Sequence, residues 1–240
     1  MMRRSAPLLF FMLFFTGLAL GQRKNIGQFA VWKPKEGKAS AFEEGFEPHL
    51  NWHKENGDKW NWYSWYVVSG ERFGLFIDGT FDLAWSDFDH PVDPIADMAD
   101  NQKNVAQYAD LKNLYKVVNV QEYSTKNTFD YTLGIARLLT VKVYDTPELD
   151  RLLKALYEVY IQKGVKSFKT FKTVDAGNLN EVIIFLGFSN WQEYGASENI
   201  LREISAIEQK MSGKVVKDIT SETLAFESEM SYFGSGDGKE

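Results

Sequence analysis

Two histidines, His49 and His53, stand four residues apart in a stretch of helical periodicity from about Lys38 to Asn56. That spacing stacks side chains on one face of a helix. At about 100° per residue, Phe42, Phe46, His49 and His53 share a sector of about 60°, while Glu43, Glu44, Glu47, Asn51, Lys54 and Glu55 cover the other side. Both imidazoles are therefore expected to face inward. Pro48 lacks an N–H and is expected to kink or restart the helix, but both histidines follow it, so their mutual spacing survives. Three kinds of chemistry stay open for the pair. Each ring can be a hydrogen-bonded core residue. Together they can form the polar end of a small-molecule pocket, for recognition or as a general base near neutral pH. They can also supply two metal ligands, although H-x-x-x-H lacks the Glu of H-E-x-x-H and a carboxylate such as Asp78 would have to complete the set.

Six of the seven tryptophans, Trp32, Trp52, Trp60, Trp62, Trp65 and Trp85, cluster in the first half of the chain. In the strand expected from Trp60 to Val68, alternation sends Trp60, Trp62 and Tyr66 to one face and Tyr63 and Trp65 to the other. Core mass accounts for such a strand. The functional alternative is an aromatic box of Trp52, Trp62, Trp65 and Tyr63 that takes a flat ligand, with Arg72 beside it to stabilise developing negative charge. Asp78, Asp82, Asp87, Asp89, Asp93, Asp97 and Asp100 make an acidic run around His90. Without a D-x-D-x-D-G calcium loop these charges are expected to solvate a surface or cap a helix, a divalent-cation site being the minor alternative. The chain contains no G-x-S-x-G, P-loop, G-x-G-x-x-G or kinase elements, and its lack of cysteine excludes thiol nucleophiles, thiolate metal sites and disulfides.

The elements that must position these residues come in two similar sets. Trp85-Ser-Asp-Phe88 and Trp191-Gln-Glu-Tyr194 lie 106 residues apart, each after a third strand and before a second helix. The first set is a strand at 27–32, a helix at about 38–56, strands at 60–68 and 73–77, a helix at about 94–110 and a strand at 114–123. The second is a strand at 133–143, a helix opened by Thr146-Pro147-Glu148 and ended by Gly164, strands at 165–174 and 182–186, a helix at about 190–211 and a strand at 215–226. Each set is β-α-β-β-α-β, the split ferredoxin-like unit, whose open sheet face needs a partner. In the second helix set the places of His49 and His53 fall on Ala155 and Val159, or on Leu156 and Tyr160 after a one-residue slip, so that copy carries a plain apolar face.

Ahead of the repeats, Arg3 and Arg4, an apolar run from Ala6 to Phe15 and small residues at 19 and 21 have the pattern of a secretory leader, residues 1–21, the alternative being an uncleaved anchor. The expected organisation is a leader at 1–21, repeats at 22–126 and 127–233, and a disordered tail at 234–240. The mature protein is expected to be exported, periplasmic or extracellular, with no membrane span once the leader is removed. The formal charge of −6, or −8 without the leader arginines, argues against phosphate-driven nucleic-acid binding.

This order of elements, with the signature Gly57-Asp58-Lys59-Trp60-Asn61-Trp62-Tyr63-Ser64-Trp65, resembles the dimeric α+β barrel superfamily in its fused two-copy form, nearest its NIPSNAP-like and uncharacterised branches. The resemblance implies an α+β barrel of tandem ferredoxin-like repeats, present as monomer or homodimer, in a superfamily that ranges from cofactor-independent monooxygenases to haem enzymes. Chlorite-dismutase-like members hold haem through a His on a helix of the C-terminal copy. Here His49, His53 and His90 all lie in the first copy, which argues against that cofactor. The expected function is small-molecule binding in the first repeat. The alternatives are a cofactor-independent oxygenase, isomerase or lyase using His49 or His53 as base, and a structural or partner-binding protein.

Overall fold

In the strand Ile26–Pro34 (β1), Phe29 and Val31 turn to one side and Ala30 and Trp32 to the other, and all four are buried. A strand buried on both faces needs a packed layer on each side. The computed structural model, which describes residues 23–127 and 130–234, shows what those layers are. Phe29 and Val31 point into a closed barrel, and Ala30 and Trp32 lie under helices.

The first half continues with α1 (Ala39–Glu55), β2 (Asn61–Ser69), β3 (Phe76–Leu83), α2 (Pro94–Asn101) and β4 (Ala109–Asn119). The second half consists of β5 (Ile135–Val143), α3 (Leu149–Gln162), β6 (Ser167–Asp175), β7 (Glu181–Phe188), the short α4 (Trp191–Tyr194), α5 (Ile200–Glu208) and β8 (Val216–Phe226). All neighbouring strands are antiparallel, in the order β3-β1-β4-β6-β7-β5-β8-β2. β2 then pairs back onto β3, from Tyr63 opposite Gly79 to Tyr66 opposite Phe76, and the wall closes. Each half has the ferredoxin-like strand order. The halves join at two seams, Trp65 opposite Phe226 in β2 and β8, and Val117 opposite Thr173 in β4 and β6. One chain therefore completes the α+β barrel, and the tandem β-α-β-β-α-β plan stands.

The barrel interior is packed with Phe29, Tyr63, Trp65, Phe81, Tyr131, Phe171 and Phe185. Phe81 and Tyr131 stack with ring centroids 4.3 Å apart. Outside the barrel, α1 covers the first-half sheet through Phe42, Phe46 and Leu50, and α3 covers the second through Leu152, Leu153, Leu156 and Tyr160. No described helix is long and apolar enough to cross a membrane.

Local departures from the sequence reading have physical causes. Pro48 lies inside an unbroken α1 rather than restarting it, because the tertiary packing of Phe42, Phe46 and Leu50 outweighs one lost helix bond. The turn after β2 runs on to Leu75, with Gly70 and Gly74 at φ +116° and +81°, so β3 begins three residues later than expected and extends to Leu83. The second helix of the first half ends at Asn101 and continues as a wide turn over Gln102–Ala106 before β4. Its start is as expected: Asp93 accepts from the Ala96 N–H at 3.1 Å and Pro94 occupies the first position. Thr146 does not cap α3, which begins at Leu149 after a turn in which Thr146 Oγ1 accepts from the Glu148 N–H. The helix expected over 190–211 is divided, with an intervening turn at Gly195–Ser197.

A short strand β9 (Tyr232–Phe233) pairs with the start of β2, and the Gly234 N–H donates to Asn61 Oδ1 at 3.0 Å, so Gly234 is tied to the fold. The expected leader at 1–21 and the rest of the expected tail, 235–240, lie outside the described residues.

Candidate functional site

α1 can approach the wide turn after α2 only because residue 45 is glycine. A Cβ there would sit 1.9 Å from the Asn104 carbonyl oxygen. This contact sets the helix face that carries His49 and His53 against the face of α2 that carries Asp97 and Asp100. Both imidazoles are buried, at 7% and 4% exposure, as the helical spacing predicts.

Each ring faces carboxylates on both edges. His49 Nδ1 lies 2.9 Å from Asp100 Oδ2, whose other oxygen accepts from Asn104 Nδ2 at 2.9 Å. His53 Nδ1 stands 2.9 Å from Asp58 Oδ2, outside hydrogen-bond alignment. Asp58 also accepts from the Trp60 N–H at 2.9 Å and from Trp62 Nε1 at 3.1 Å. On the opposite edges, His49 Nε2 and His53 Nε2 converge on Asp97 Oδ1 at 3.7 and 3.5 Å. Asn101 Nδ2 approaches His49 Nε2 at 3.4 Å. The two ring centroids are 4.8 Å apart, edge to face.

The rings form the floor of a cleft of about 480 Å³ between α1, α2 and the outer face of the first-half sheet. Its walls are largely apolar, from Ala30, Trp32, Phe46, Leu50 and Trp62, and its mouth is rimmed by Met98, Leu111 and Leu114, which are 61%, 47% and 42% exposed. Asp78 reaches the same cleft from β3 and accepts from Trp32 Nε1 at 2.6 Å.

Burial governs the protonation of these groups. It lowers the pKa of His49, against the raising effect of its Asp100 hydrogen bond. Asp78 is pushed up to about 7 by burial, against the pull of Trp32 and His53. Asp97 is raised by burial despite both histidines. Burial would also raise Asp58, but His53, the Trp60 N–H and the Trp62 indole together hold it below the usual carboxylate range.

The structure brings together only part of the set expected from sequence. Trp62 lines the cleft, its ring centroid 4.9 Å from that of His53, and Trp52 packs edge-on against His53 at 5.1 Å. Trp65 and Tyr63 are inside the barrel, because β2 alternation sends them to the face away from α1. Arg72 is elsewhere: it grips Glu222 through Nε at 3.0 and 2.9 Å and also through Nη2, beside a separate cleft of about 300 Å³ lined by Tyr115 and Thr140. It cannot stabilise charge next to the histidines. The carboxylate nearest both Nε2 atoms is Asp97, not Asp78. Asp58, Asp97, Asp100 and the apolar rim were not singled out as site residues; the spacing of Asp97 and Asp100, three apart on α2, was the available signal.

The second half makes the comparison within the chain. Leu156 and Tyr160, both buried, occupy the face that His49 and His53 occupy in α1, as the slipped register anticipates. No histidine lies in that half, so the haem-ligating His of chlorite-dismutase-like members has no counterpart there.

No protein-family model and no curated protein matches the chain. Solved structures do. A candidate monooxygenase of Lactobacillus acidophilus is 12% identical, with 88% of this chain and 97% of that one covered, at a TM-score of 0.61. A candidate monooxygenase of Fusobacterium nucleatum is 13% identical, with coverage of 85% and 93% and a TM-score of 0.55. Chlorite dismutase of Candidatus Nitrospira defluvii is 11% identical, with coverage of 85% and 92% and a TM-score of 0.51. These likenesses show the fold alone, an α+β barrel of two ferredoxin-like halves.

Proposed function

We propose that this chain is an exported small-molecule-binding protein whose ligand enters the first-half cleft with its apolar part against Met98, Leu111 and Leu114 and a polar group toward His49 and His53. One observation carries the reading: two buried imidazoles close an apolar-walled cleft in one half, where the matching helix of the other half presents Leu156 and Tyr160. An apolar cavity with a few convergent polar groups is the usual form of a ligand site. Trp62 and Trp52 are the aromatic contacts of that site; Trp65 and Tyr63 serve the barrel core.

The mature chain divides into repeats at 22–126 and 127–233. Barrel closure within one chain means that a homodimer, if formed, is not needed to complete the fold. Affinity to the NIPSNAP-like branch rests on the Gly57–Trp65 signature alone. Export is tested by amino-terminal sequencing of the mature protein, with Gln22 expected as the first residue and Met1 contradicting it.

A catalytic reading has specific support in two structural neighbours named as candidate monooxygenases. In this reading His49, which burial keeps toward its neutral form, takes a proton from the bound ligand as general base. Arg72 takes no part.

Native mass spectrometry of protein purified from its export compartment tests the binding reading. A small-molecule mass is expected on wild type and is expected to be lost from Leu114→Lys, which places a charge at the exposed rim without touching the core. Wild type free of any ligand mass, with no melting shift across a panel of apolar acids, phenols and ketones, contradicts it.

A further inference from the structure

We infer that the floor of the cleft is a metal site in which His49 Nε2, His53 Nε2 and the Asp97 carboxylate bind one divalent first-row transition ion. The inference deepens the binding reading, resting on the same cleft.

Three observations converge. The first is distance. The ligand atoms of His49, His53 and Asp97 all lie within 4.8 Å of one another, and the two Nε2 atoms are 3.7 and 3.5 Å from Asp97 Oδ1. Two ligands bound at 2.0–2.1 Å in tetrahedral geometry are separated by roughly 3.3–3.4 Å, so small side-chain movements complete the geometry.

The second is orientation. Metal-bound imidazoles characteristically present their other ring nitrogen to a carboxylate, which fixes the tautomer. His49 does so, its Nδ1 hydrogen-bonded to Asp100 at 2.9 Å; His53 Nδ1 stands 2.9 Å from Asp58 Oδ2 outside hydrogen-bond alignment, so a small rotation of the ring completes the same contact. Those carboxylates are in turn held by Asn104, by the Trp60 N–H and by Trp62. A ring whose Nδ1 proton points at a carboxylate offers a lone pair at Nε2. Asn101 Nδ2, a donor, approaches that lone pair on His49.

The third is charge. Asp58, Asp78, Asp97 and Asp100 surround two imidazoles, and no Lys or Arg is among the described residues lining the cleft. Even two protonated rings would leave an excess of negative charge. Two Nε2 atoms converging on one carboxylate oxygen make a place for a cation at their meeting point.

The donor set also selects the ion. Two imidazoles and a carboxylate suit zinc or ferrous iron; calcium and magnesium take oxygen ligands, and cuprous copper prefers sulfur. Three protein ligands leave positions open toward the cleft, so the polar group of an apolar ligand can coordinate the ion directly.

The test uses untagged, EDTA-stripped protein titrated with cobalt(II) followed by visible absorption, and with zinc(II) by calorimetry. The expected result is one ion per chain, with His49→Ala, His53→Ala and Asp97→Ala each weakening binding at least 100-fold and Asp58→Asn and Asp100→Asn weakening it about 10–100-fold. Asp97 is 36% exposed at its side chain, so Asp97→Ala is expected to fold even if the histidine variants do not. Absence of stoichiometric binding, or equal affinity in wild type and Asp97→Ala, overturns the inference. The two readings fail separately. A ligand mass retained by protein that binds no cobalt or zinc removes the metal and leaves the pocket; a stoichiometric metal site on protein that takes up no organic ligand establishes the metal and removes the pocket reading.

Discussion

Asp78→Asn isolates the electrostatic cost of the cleft. The Asp78 carboxyl is 5% exposed, accepts from Trp32 Nε1 at 2.6 Å, and is pushed from 3.8 up to about 7 by burial, against the pull of Trp32 and His53. The native state therefore holds a proton that the unfolded chain releases between those two values. Where the native state binds more protons, stability falls as pH rises. The cost is absent below the unfolded value and complete above about pH 7. Each tenfold change in proton affinity is worth about 1.4 kcal/mol, which sets the full cost at about 4 kcal/mol; water entering the open cleft brings the expected value to about 2–4 kcal/mol. Asparagine keeps an oxygen for the Trp32 N–H and does not titrate. Urea unfolding of wild type and Asp78→Asn in EDTA should show the variant gaining on wild type from near zero at about pH 4 to about 2–4 kcal/mol at about pH 8. A difference that does not change with pH, or a variant less stable than wild type at the alkaline end, would refute the reasoning.

Other consequences follow from single contacts. Arg72→Ala leaves the Glu222 carboxylate, 6% exposed, without its partner; it should cost about 2–4 kcal/mol in urea unfolding while leaving metal and ligand affinity at the first-half cleft unchanged. A loss of cleft binding would restore Arg72 to the site. Gly45→Ala drives a methyl into the Asn104 carbonyl, and a loss of about 1–3 kcal/mol together with weakened cobalt binding is expected, because α1 must move away from α2; unchanged affinity would show that this contact does not set the histidine–aspartate distances. Pro48→Ala restores an N–H inside the continuous α1. A gain of about 1–3 kcal/mol is expected, and destabilisation would mean that proline sets the helix path.

The repeat plan was legible because it is written in local chemistry. Gly57 and Gly164, both at positive φ, end α1 and α3, Asp93-Pro94 opens α2, and alternation along β2 assigns Trp62 and Trp65 to opposite faces. The helical spacing of His49 and His53 is equally local, and it placed both rings inward. What sequence did not reveal depends on contacts between distant elements. Asp97 meets the histidines only because Gly45 lets α1 settle against the turn after α2, and its place in an acidic run made it look like a solvated charge. Arg72 follows the β2 aromatics in sequence, but the turn carries it to Glu222 of the other half, 150 residues away. The end of α2 was overrun because its helical pattern continues through the wide turn at Gln102–Ala106, whose Val105 is fully buried.

The proposed function and the proposed metal site both need His49, His53 and Asp97 to form the working floor of the first-half cleft. An anomalous-difference map from crystals of untagged protein soaked in cobalt(II) tests that arrangement most directly. One principal peak is expected about 2.0–2.2 Å from His49 Nε2, His53 Nε2 and an Asp97 oxygen, with the Nδ1 atoms still turned to Asp100 and Asp58. A peak elsewhere, rings turned out to solvent, or a cleft filled by the protein's own side chains would contradict it.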